Sequence, residues 1–475
     1  MSTSDVGAQP TLAPTWADLF SGRNAVFSVA LGGSVVLHAL NIYVATTVMP
    51  SAIGEIGGLD YYSWTTTLFV MASIFGAAIS PNVIVGAGAR AAYVLAALVF
   101  AAGSVACALA PSMPVMLLGR FVQGFGGGLL YALAYSVIRM VFAEHLWGRA
   151  IGLISAAWGV STLIGPALGG VFAELDAWRW AFGALVPFAL IFAVVAVATL
   201  PGRSGEATRI TIPFVQLMLL AGATLVLSAG SLGVDVRWSY ASVGGALTLI
   251  LLLLSIELRS QTTLLPRDAY SRQSRLGILY ALGALLVIGM QPEIFVPYIL
   301  QVLHGLSPLL AGYLAALMAI GWTLGSLVSG GWQGTAVNRA LRAGPAFGFV
   351  GLALLAGFLP RPLGQDWLAY VPVAAGLVLV GFGIGVAWPH LVTRVFQAAP
   401  EGQQEQATGS ITTVQLFATA LGAAAAGTLA KSAGIVSPGG MEGAANTALW
   451  LFAGFAIVPL LSLAAAFVAT RANRT

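Results

Sequence analysis

Residues 152–170 read GLISAAWGVSTLIGPALGG, an uncharged apolar segment long enough to cross the hydrocarbon of a bilayer as a helix. Its glycines lack the side chains that would keep a second helix away, and its proline removes a backbone donor and kinks the helix. The segment therefore predicts a membrane helix with a closely packed face. The residues that define this motif are Gly159, Gly165, Pro166, Gly169 and Gly170.

The composition of the whole chain agrees with a lipid environment. Of its 475 residues 59% are hydrophobic and 8% are charged, and the mean hydropathy is +0.92. A soluble chain of this length would carry roughly a quarter of its residues as charged side chains. The net charge of +4 is too small to suggest a nucleic-acid partner, and the single cysteine, Cys107, excludes an internal disulfide.

Polar and Pro/Gly-rich breaks divide the chain into apolar runs of about 20 residues, each long enough for one membrane span. Backbone groups in hydrocarbon must be hydrogen-bonded internally, and these runs are too long and too continuously apolar for a membrane barrel. The sequence predicts an all-α polytopic protein. Its fourteen predicted spans are residues 25–48, 62–82, 90–110, 114–140, 149–172, 180–200, 213–233, 238–257, 276–301, 307–331, 341–359, 367–392, 407–430 and 446–469.

The positions of the arginines test this division, because basic residues accumulate in short cytoplasmic loops. With the N-terminus inside, four basic residues fall outside: Arg179, Arg237, Arg361 and Lys431. Fifteen fall inside: Arg23, Arg90, Arg139, Arg149, Arg203, Arg209, Arg259, Arg267, Arg272, Arg275, Arg339, Arg342, Arg394, Arg471 and Arg474. The asymmetry places both termini in the cytoplasm. The polar N-terminal segment lacks the apolar core and cleavage site of a signal peptide, so the first helix is expected to be retained.

Several segments resemble one family. Residues 152–170 resemble the antiporter motif in the fifth helix of the major facilitator superfamily, and LLGRFVQGFGGG at 117–128 resembles its Arg-x-x-Gln-Gly motif. The segments NIYVATTVMPSAIGEIGG at 41–58, LDYYSWTTTLFVMASIFGAAIS at 59–80 and VPYILQVLHGLSPLLAGYLAAL at 296–317 are similar to the fourteen-helix drug:proton antiporter branch. The resemblance extends from about residue 25 to residue 330.

The resemblance implies a major facilitator fold of two six-helix bundles plus two extra helices. The implied domains are a cytoplasmic N-terminal tail, a first bundle, two additional helices with their loops, a second bundle and a cytoplasmic C-terminal tail: residues 1–24, 25–200, 201–275, 276–469 and 470–475. It also implies a substrate site between the bundles near the bilayer midplane, alternating access by rocking of one half against the other, and a monomer. The glycine-rich fifth helix would help to close the cytoplasmic side.

Two positions depart from the pattern of the branch. The branch usually has an acidic residue where this chain has Asn41, which questions proton coupling through the first helix. The loop between the second and third helices reads SPNVIVGAGARAAY, with Val85 where an Asp is usual and Arg90 as its only charge. The conformational latch associated with that loop is therefore expected to be weaker or differently built.

Glu293 lies between two prolines inside an apolar run, GMQPEIFVPY at 289–298. A carboxylate near the bilayer centre costs at least a few kcal/mol and usually faces a water-filled cavity or a partner. Placed in the first helix of the second half and bent around Pro292 and Pro297, Glu293 is predicted to carry the coupling proton or to bind a cation. The alternatives are a structural hydrogen bond and a position at the wet outer rim.

Three further ionisable residues fall within predicted spans. Arg120 is predicted to be the charge partner of Glu293, an anchor for an anionic substrate or a support for the proton relay, with donation to helix carbonyls as the structural alternative. His38 is a candidate proton-coupling group and His390 a weaker one, and packing is the alternative for both. No ligand spacing for a metal occurs within a span.

Aromatic and amide side chains in the central spans predict a surface for an amphipathic organic substrate, because such a lining binds by area and polarisability. Interfacial anchoring is the alternative for each aromatic residue. The predicted substrate-binding residues are Asn41, Gln123, Tyr131, Tyr135, Trp158, Gln291, Tyr298, Trp322, Trp388 and Gln415, with Tyr43 in the same surface.

The chain has no nucleotide-binding loop and no constellation of nucleophile and base, so neither an ATP-driven pump nor an enzyme is expected, and no cofactor is predicted. The preferred function is export of drugs or other amphipathic compounds across the cell inner (plasma) membrane in exchange for protons. The alternative is a carrier of the same fold for uptake, symport or uniport, and a non-transport membrane protein ranks last. The expected partners are an organic solute, protons and membrane lipids.

Overall fold

The computed structural model describes residues 16–143, 146–202, 211–233, 236–271, 274–364, 366–399 and 404–471. Four arginines used for the prediction of topology, Arg203, Arg209, Arg272 and Arg474, lie outside the described residues, as does the side chain of Arg139. The outer parts of both predicted tails also lie outside them. Throughout the described ranges the regular elements are helices and no strand occurs, which confirms the all-α prediction.

Seventeen α-helices follow one another along the described chain. They are α1 (Trp16–Leu19), α2 (Gly22–Ile56), α3 (Tyr62–Ala108), α4 (Met113–Val141), α5 (Trp147–Glu174), α6 (Trp178–Gly183), α7 (Leu185–Thr199), α8 (Phe214–Ala229), α9 (Val236–Glu257), α10 (Leu276–Met290), α11 (Val296–His304), α12 (Pro308–Ser329), α13 (Thr335–Phe358), α14 (Val371–Ala398), α15 (Gln404–Ser432), α16 (Gly440–Phe455) and α17 (Ile457–Thr470). Short 3-10 helices at Leu59–Tyr61, Arg267–Tyr270, Gln291–Phe295 and Trp367–Tyr370 join some of them.

Twelve helical segments of the described chain are long and apolar enough to cross a membrane, so the protein is a multi-pass membrane protein. The predicted number of fourteen is not confirmed by this criterion, and two places account for the difference. The predicted second and third spans both lie in α3, where only a kink at Gly88 separates them, so they form a single long segment. The predicted seventh span is shortened to α8, which has 16 residues.

Gly88 interrupts α3 with φ 84° and ψ 161°, a backbone conformation that only glycine adopts readily. The predicted loop at 80–93 is therefore helical on both sides of a one-residue break. Arg90 fixes this break to the end of α7, since its Nε donates to the carbonyl of Leu200 at 3.0 Å and its backbone N–H donates to Pro201. The single charge of this loop is therefore bonded to the end of a neighbouring helix.

The helices pack in two sets. Helices α2–α7 form the first set, in which α3 packs on α4 and α2 packs on α5. Helices α10–α17 form the second set, in which α14 packs on both α12 and α13. The sets meet where α5 contacts α12 and where α3 contacts α15, while α8 and α9 pack on each other and α8 contacts both α3 and α15. We call the end of the bundle at which α2 begins the near end and the opposite end the far end.

Candidate functional site

The two sets of helices are joined at the far end by charge and aromatic contacts. Asp60, in the 3-10 helix after α2, forms an ion pair with Lys431 at the end of α15. The ring of Tyr62 stacks on Phe295 with centroids 4.9 Å apart and meets Tyr298 edge-on at 5.7 Å. Each contact joins the first set to the second, so together they close the far end between the sets.

Small residues allow the helices to approach closely at the same end. Gly170 of α5 faces Leu309 of α12. A Cβ at Gly312 of α12 would lie 2.8 Å from Cγ2 of Thr47 and 3.2 Å from Cβ of Pro166. Side chains larger than hydrogen at these glycines would therefore push α12 away from α2 and α5.

The glycine motif of α5 divides into three parts. Gly165 and Gly169 face α2, where a Cβ at Gly169 would lie 3.0 Å from the carbonyl oxygen of Val44, and Gly170 with Pro166 faces α12. A Cβ at Gly159 would have nothing within 4 Å. The contacts of Gly165, Gly169 and Gly170 lie toward the far end, because these residues occupy the second half of a helix that ends there.

An aromatic cluster forms on the first set. The His38 ring stacks on Tyr131 with centroids 5.1 Å apart and meets Trp158 edge-on at 6.1 Å. Tyr131 in turn contacts Tyr135 at 5.5 Å and Trp158 at 6.2 Å. The structure thus brings together four residues that the sequence placed on three different helices, and His38 belongs to the packing of this cluster.

Arg120 is 1% exposed and is held entirely by neutral groups of the first set. Its Nη1 donates to Asn41 Oδ1 at 3.0 Å and to Gln123 Oε1 at 2.6 Å, and its Nε donates to the carbonyl of Thr65 at 3.1 Å. Its guanidinium lies 4.3 Å from the centroid of the Phe69 ring. Donation to a helix carbonyl is the structural role that the sequence left open.

Arg120 and Glu293 form no ion pair in the described structure, so the expected charge partnership is not observed there. The geometric reason is that α4 directs Arg120 into the interior of the first set, toward α2 and α3. The network extends further within the first set, since Nε2 of Gln123 donates to Oγ of the buried Ser104 at 2.8 Å. Asn41 and Gln123 therefore lie around the guanidinium, and Nδ2 of Asn41 has no hydrogen-bond partner among the described residues.

Glu293 lies in the 3-10 helix Gln291–Phe295, between α10 and α11. Pro292 is the second residue of this 3-10 helix and Pro297 lies in the first turn of α11, so the two prolines flank the glutamate where the predicted ninth span is interrupted. The half-buried carboxylate makes no hydrogen bond or ion pair with the described residues. Phe295 of the same 3-10 helix stacks on Tyr62 of the first set, so Glu293 lies two residues from a contact between the sets.

The remaining predicted residues lie at several separate places in the structure. Trp322 and Trp388 meet at 5.7 Å on the second set, and Gln415 is half-buried on α15. Gln291 instead donates to the carbonyl of Val287 at 3.0 Å, one turn back on its own helix, and Tyr298 takes part in the far-end contact. His390 stacks on Trp332 at 6.5 Å. No cluster of three potential metal ligands occurs in the described part of the chain.

Several residues of these sites were not predicted from the sequence. Phe69 and Tyr62 have no signal that separates them from other aromatic residues in spans, and their contacts span residues far apart in the chain. The Asp60–Lys431 pair did have a signal, because both residues fall in segments predicted on the same outer side and Lys431 is the only lysine of the chain. Opposite charges predicted on the same side of the membrane favour an ion pair, but they do not specify which two residues form it.

Comparison with known proteins gives consistent results. A sequence model of the Major Facilitator Superfamily matches residues 31–423. A probable multidrug-efflux transporter of Mycobacterium tuberculosis is 33% identical over 472 residues, which are 97% of each chain. The multidrug transporter protein MdtP of Bacillus subtilis is 25% identical over 406 residues, covering 84% of this chain and 71% of the relative.

Solved structures resemble the fold at low identity. A crystal structure of the nucleoside transporter NupG superimposes with a TM-score of 0.67 at 12% identity, over 94% of this chain and 100% of that one. A POT family transporter in complex with a thioalcohol-conjugated peptide superimposes with a TM-score of 0.66 at 16% identity, over 95% of this chain and 97% of the other. At these identities the likeness concerns the fold alone.

Proposed function

The chain belongs to the Major Facilitator Superfamily and is a membrane transporter rather than an enzyme, and from this premise we propose that it exports amphipathic organic compounds in exchange for protons. Transport proceeds by alternating access of one substrate site between the two sets of helices. Multidrug-efflux relatives with 33% and 25% identity support export of organic compounds as the direction and substrate class.

The observation that carries the proposal is the half-buried carboxylate of Glu293, which has no ion-pair or hydrogen-bond partner among the described residues and lies in the 3-10 helix that contacts Tyr62 of the first set. A carboxylate with a permanent cationic partner would be held in its charged form, whereas one without a partner can bind and release a proton as its surroundings change. Phe295, two residues after Glu293, stacks on Tyr62 of the first set, which supports a role for proton binding at Glu293 in the contact between the two moving parts.

The substrate site of the proposal lies among the aromatic residues of both sets. Tyr131, Tyr135 and Trp158 of the first set provide stacking area, and Trp322 and Trp388 provide it on the second. Flat apolar surfaces with few fixed donors accept compounds of different shapes. Gln415 adds an amide to this lining. Asn41 and Gln123 act instead by holding Arg120, and Tyr298 acts through the far-end contact with Tyr62.

The membrane arrangement of the proposal has fourteen crossings, with both termini in the cytoplasm of a cell whose inner membrane holds the protein as a monomer. Gly88 divides α3 into two helices of 26 and 20 residues, at 62–87 and 89–108, and each is long enough for one crossing. Helix α8 provides the other additional crossing. The two six-helix bundles then correspond to the two sets, and the closed far end faces outward.

A second candidate is a carrier of the same fold that does not couple to protons, such as a uniporter, or one that works as an uptake symporter. The observation that favours it is the hydrogen bond from Arg120 to the neutral amide of Asn41, at a position where the antiporter branch usually has an acid. Without a carboxylate there, Arg120 does not take part in a proton-dependent ion pair. Glu293 would then bind a cationic part of the solute.

The experiment that tests the proposal uses purified protein in liposomes that enclose a pH-sensitive dye. Lipophilic cations and neutral drugs are added to the wild type, to Glu293→Gln and to the matched control Glu174→Gln, whose carboxylate lies exposed at the end of α5. We expect compound-dependent proton flux in the wild type and in the control, and none in Glu293→Gln. Equal flux in all three proteins would remove Glu293 from the mechanism. Saturable solute flux without proton movement would favour the second candidate.

A further inference from the structure

Residues 227–231, which are the end of α8 and the two residues after it, are hydrogen-bonded to the first set at the far end, and we call them the α8–α9 turn. Nε1 of Trp64, on α3, donates to the carbonyl of Ser228 at 3.1 Å and to Oγ of Ser231 at 3.0 Å. Oγ of Ser231 donates to the backbone carbonyl of Asp60 at 3.1 Å. The same turn is therefore bonded to the residue whose side chain pairs with Lys431.

The α8–α9 turn is also bonded to the second set. Oγ1 of Thr428, on α15, donates to the carbonyl of Leu227 at 2.8 Å. The side chain of Leu227 packs with Ala424 of α15 and with Ala246 of α9. A Cβ at Gly230 would lie 2.8 Å from Cγ2 of Thr428, so the glycine permits this close approach.

These bonds converge on the ion pair that closes the far end. Thr428 precedes Lys431 by three residues on α15, so both side chains lie on one face of the helix. Asp60 receives Lys431 at its carboxylate and Ser231 at its backbone carbonyl. When α3 and α15 separate at the far end, the turn cannot follow both helices, and at least one group of its bonds must break.

We propose that the α8–α9 turn acts as a strap across the far-end closure, bonded to both sets and biasing the protein toward the closed far end. Helices α8 and α9, which lie between the two sets along the chain, thereby acquire a role in the conformational equilibrium. The inference does not depend on the substrate or on proton coupling, because it concerns only the contacts that hold α3 and α15 together. The strap must leave one set whenever the far end opens.

The test uses Lys431, the only lysine of the chain, as a reporter of far-end opening. Purified protein in liposomes is treated with a membrane-impermeant amine-reactive reagent, and the modified Lys431 peptide is quantified over time by mass spectrometry. Trp64→Phe keeps the ring and removes the donor, and we expect it to speed modification by about three- to tenfold, the factor for one or two hydrogen bonds. The matched control is Trp238→Phe, since Nε1 of Trp238 donates to Ala229 at 2.7 Å within the α8–α9 hairpin itself.

Two smaller substitutions repeat the test if Trp64→Phe does not fold. Ser231→Ala removes the hydroxyl that contacts Trp64 and Asp60. Because Ser231→Ala and Trp64→Phe both remove the contact between these two side chains, the double variant should speed modification by less than the product of the two single-variant factors. Thr428→Val removes the bond to the second set, with Thr224→Val as its control, whose hydroxyl bonds only its own helix. Modification rates of Trp64→Phe and Ser231→Ala equal to those of Trp238→Phe would overturn the proposal.

Discussion

Nη1 of Arg120 donates to Oδ1 of Asn41 at 3.0 Å, so a fully buried guanidinium is bound by an amide at the place where the antiporter branch usually has an acid. Such a cation is tolerated because carbonyl and amide oxygens and the face of Phe69 surround it. A bond from a charged donor to a neutral acceptor is weaker than a buried ion pair of good geometry. The first set consequently keeps a positive charge that does not change with proton binding.

Asn41→Asp should stabilise the protein by about 1 kcal/mol, because a charge-assisted ion pair with Arg120 replaces a bond to a neutral amide. The measurement is the midpoint of thermal unfolding in detergent, which should rise by a few degrees. Asn41→Leu is the matched control of similar size, and it should lower the midpoint because it leaves a donor of Arg120 unsatisfied. A lower midpoint for Asn41→Asp would show that the site cannot accommodate a second charge.

Gly312→Ala should impair closure of the far end. The added Cβ would lie 2.8 Å from Cγ2 of Thr47, and overpacking of this kind typically costs about 1–3 kcal/mol. Turnover in liposomes is expected to fall by about tenfold, since 1.4 kcal/mol corresponds to a factor of ten. Gly159→Ala is the control on α5 and should transport normally, because nothing lies within 4 Å of the added atom. Equal turnover of both variants would contradict the close-packed closure.

Trp158→Ala should weaken the binding of an aromatic substrate by about tenfold, because it removes a large stacking surface from the cluster with His38 and Tyr131. The dissociation constant is measured by fluorescence of a bound dye or by calorimetry. Trp180→Ala is the control, as this tryptophan is 67% exposed on the surface of α6. An unchanged constant for Trp158→Ala would move the substrate site away from the aromatic cluster of the first set.

The Asp60–Lys431 pair should contribute modestly and in a salt-dependent way. Its side chains are 35% and 21% exposed, and exposed pairs are worth about 0.2–1 kcal/mol. Lys431→Asp should therefore widen the far end, and the double variant Asp60→Lys with Lys431→Asp should restore the closed distance. Spin labels on cysteines at the far ends of α3 and α12, in a Cys107→Ala background, report that distance. The difference should disappear at about 1 M salt, where screening is short-ranged; a salt-independent effect would point to steric rather than electrostatic closure.

The sequence was sufficient for the helical membrane fold because apolar length and arginine placement are properties of the chain itself. It also made Glu293 a candidate, since an isolated acid between prolines contrasts with its surroundings, and the role of Glu293 stays a prediction. The partners of Arg120 could not be deduced in this way, because Asn41 is 79 residues away along the chain and the choice between it and Glu293 depends on how α4 is rotated. The end at which the α5 glycines act depends in the same way on which helix lies against them.

Helix counting met a different limit. Apolar runs separated by polar or glycine-containing breaks predict two spans at 62–82 and 90–110. In the structure the helix continues on either side of Gly88, so both predicted spans lie in α3 with only a kink between them. Tyr298 and Gln291 show that the residue type does not determine where a side chain points. Both were predicted to bind substrate, yet one lies in the far-end contact and the other bonds its own helix. The direction in which a side chain points depends on how its helix is rotated about its axis. A uniformly apolar segment has no periodic pattern that would reveal this rotation.

The one-residue break at Gly88 also bears on how the chain is made. In the fourteen-crossing arrangement, a single non-helical residue separates the two parts of α3. We therefore expect the two parts to enter the lipid together, as a helical hairpin. A bulky residue at Gly88, where φ is 84°, would then reduce the yield of integrated protein before any transport could be measured.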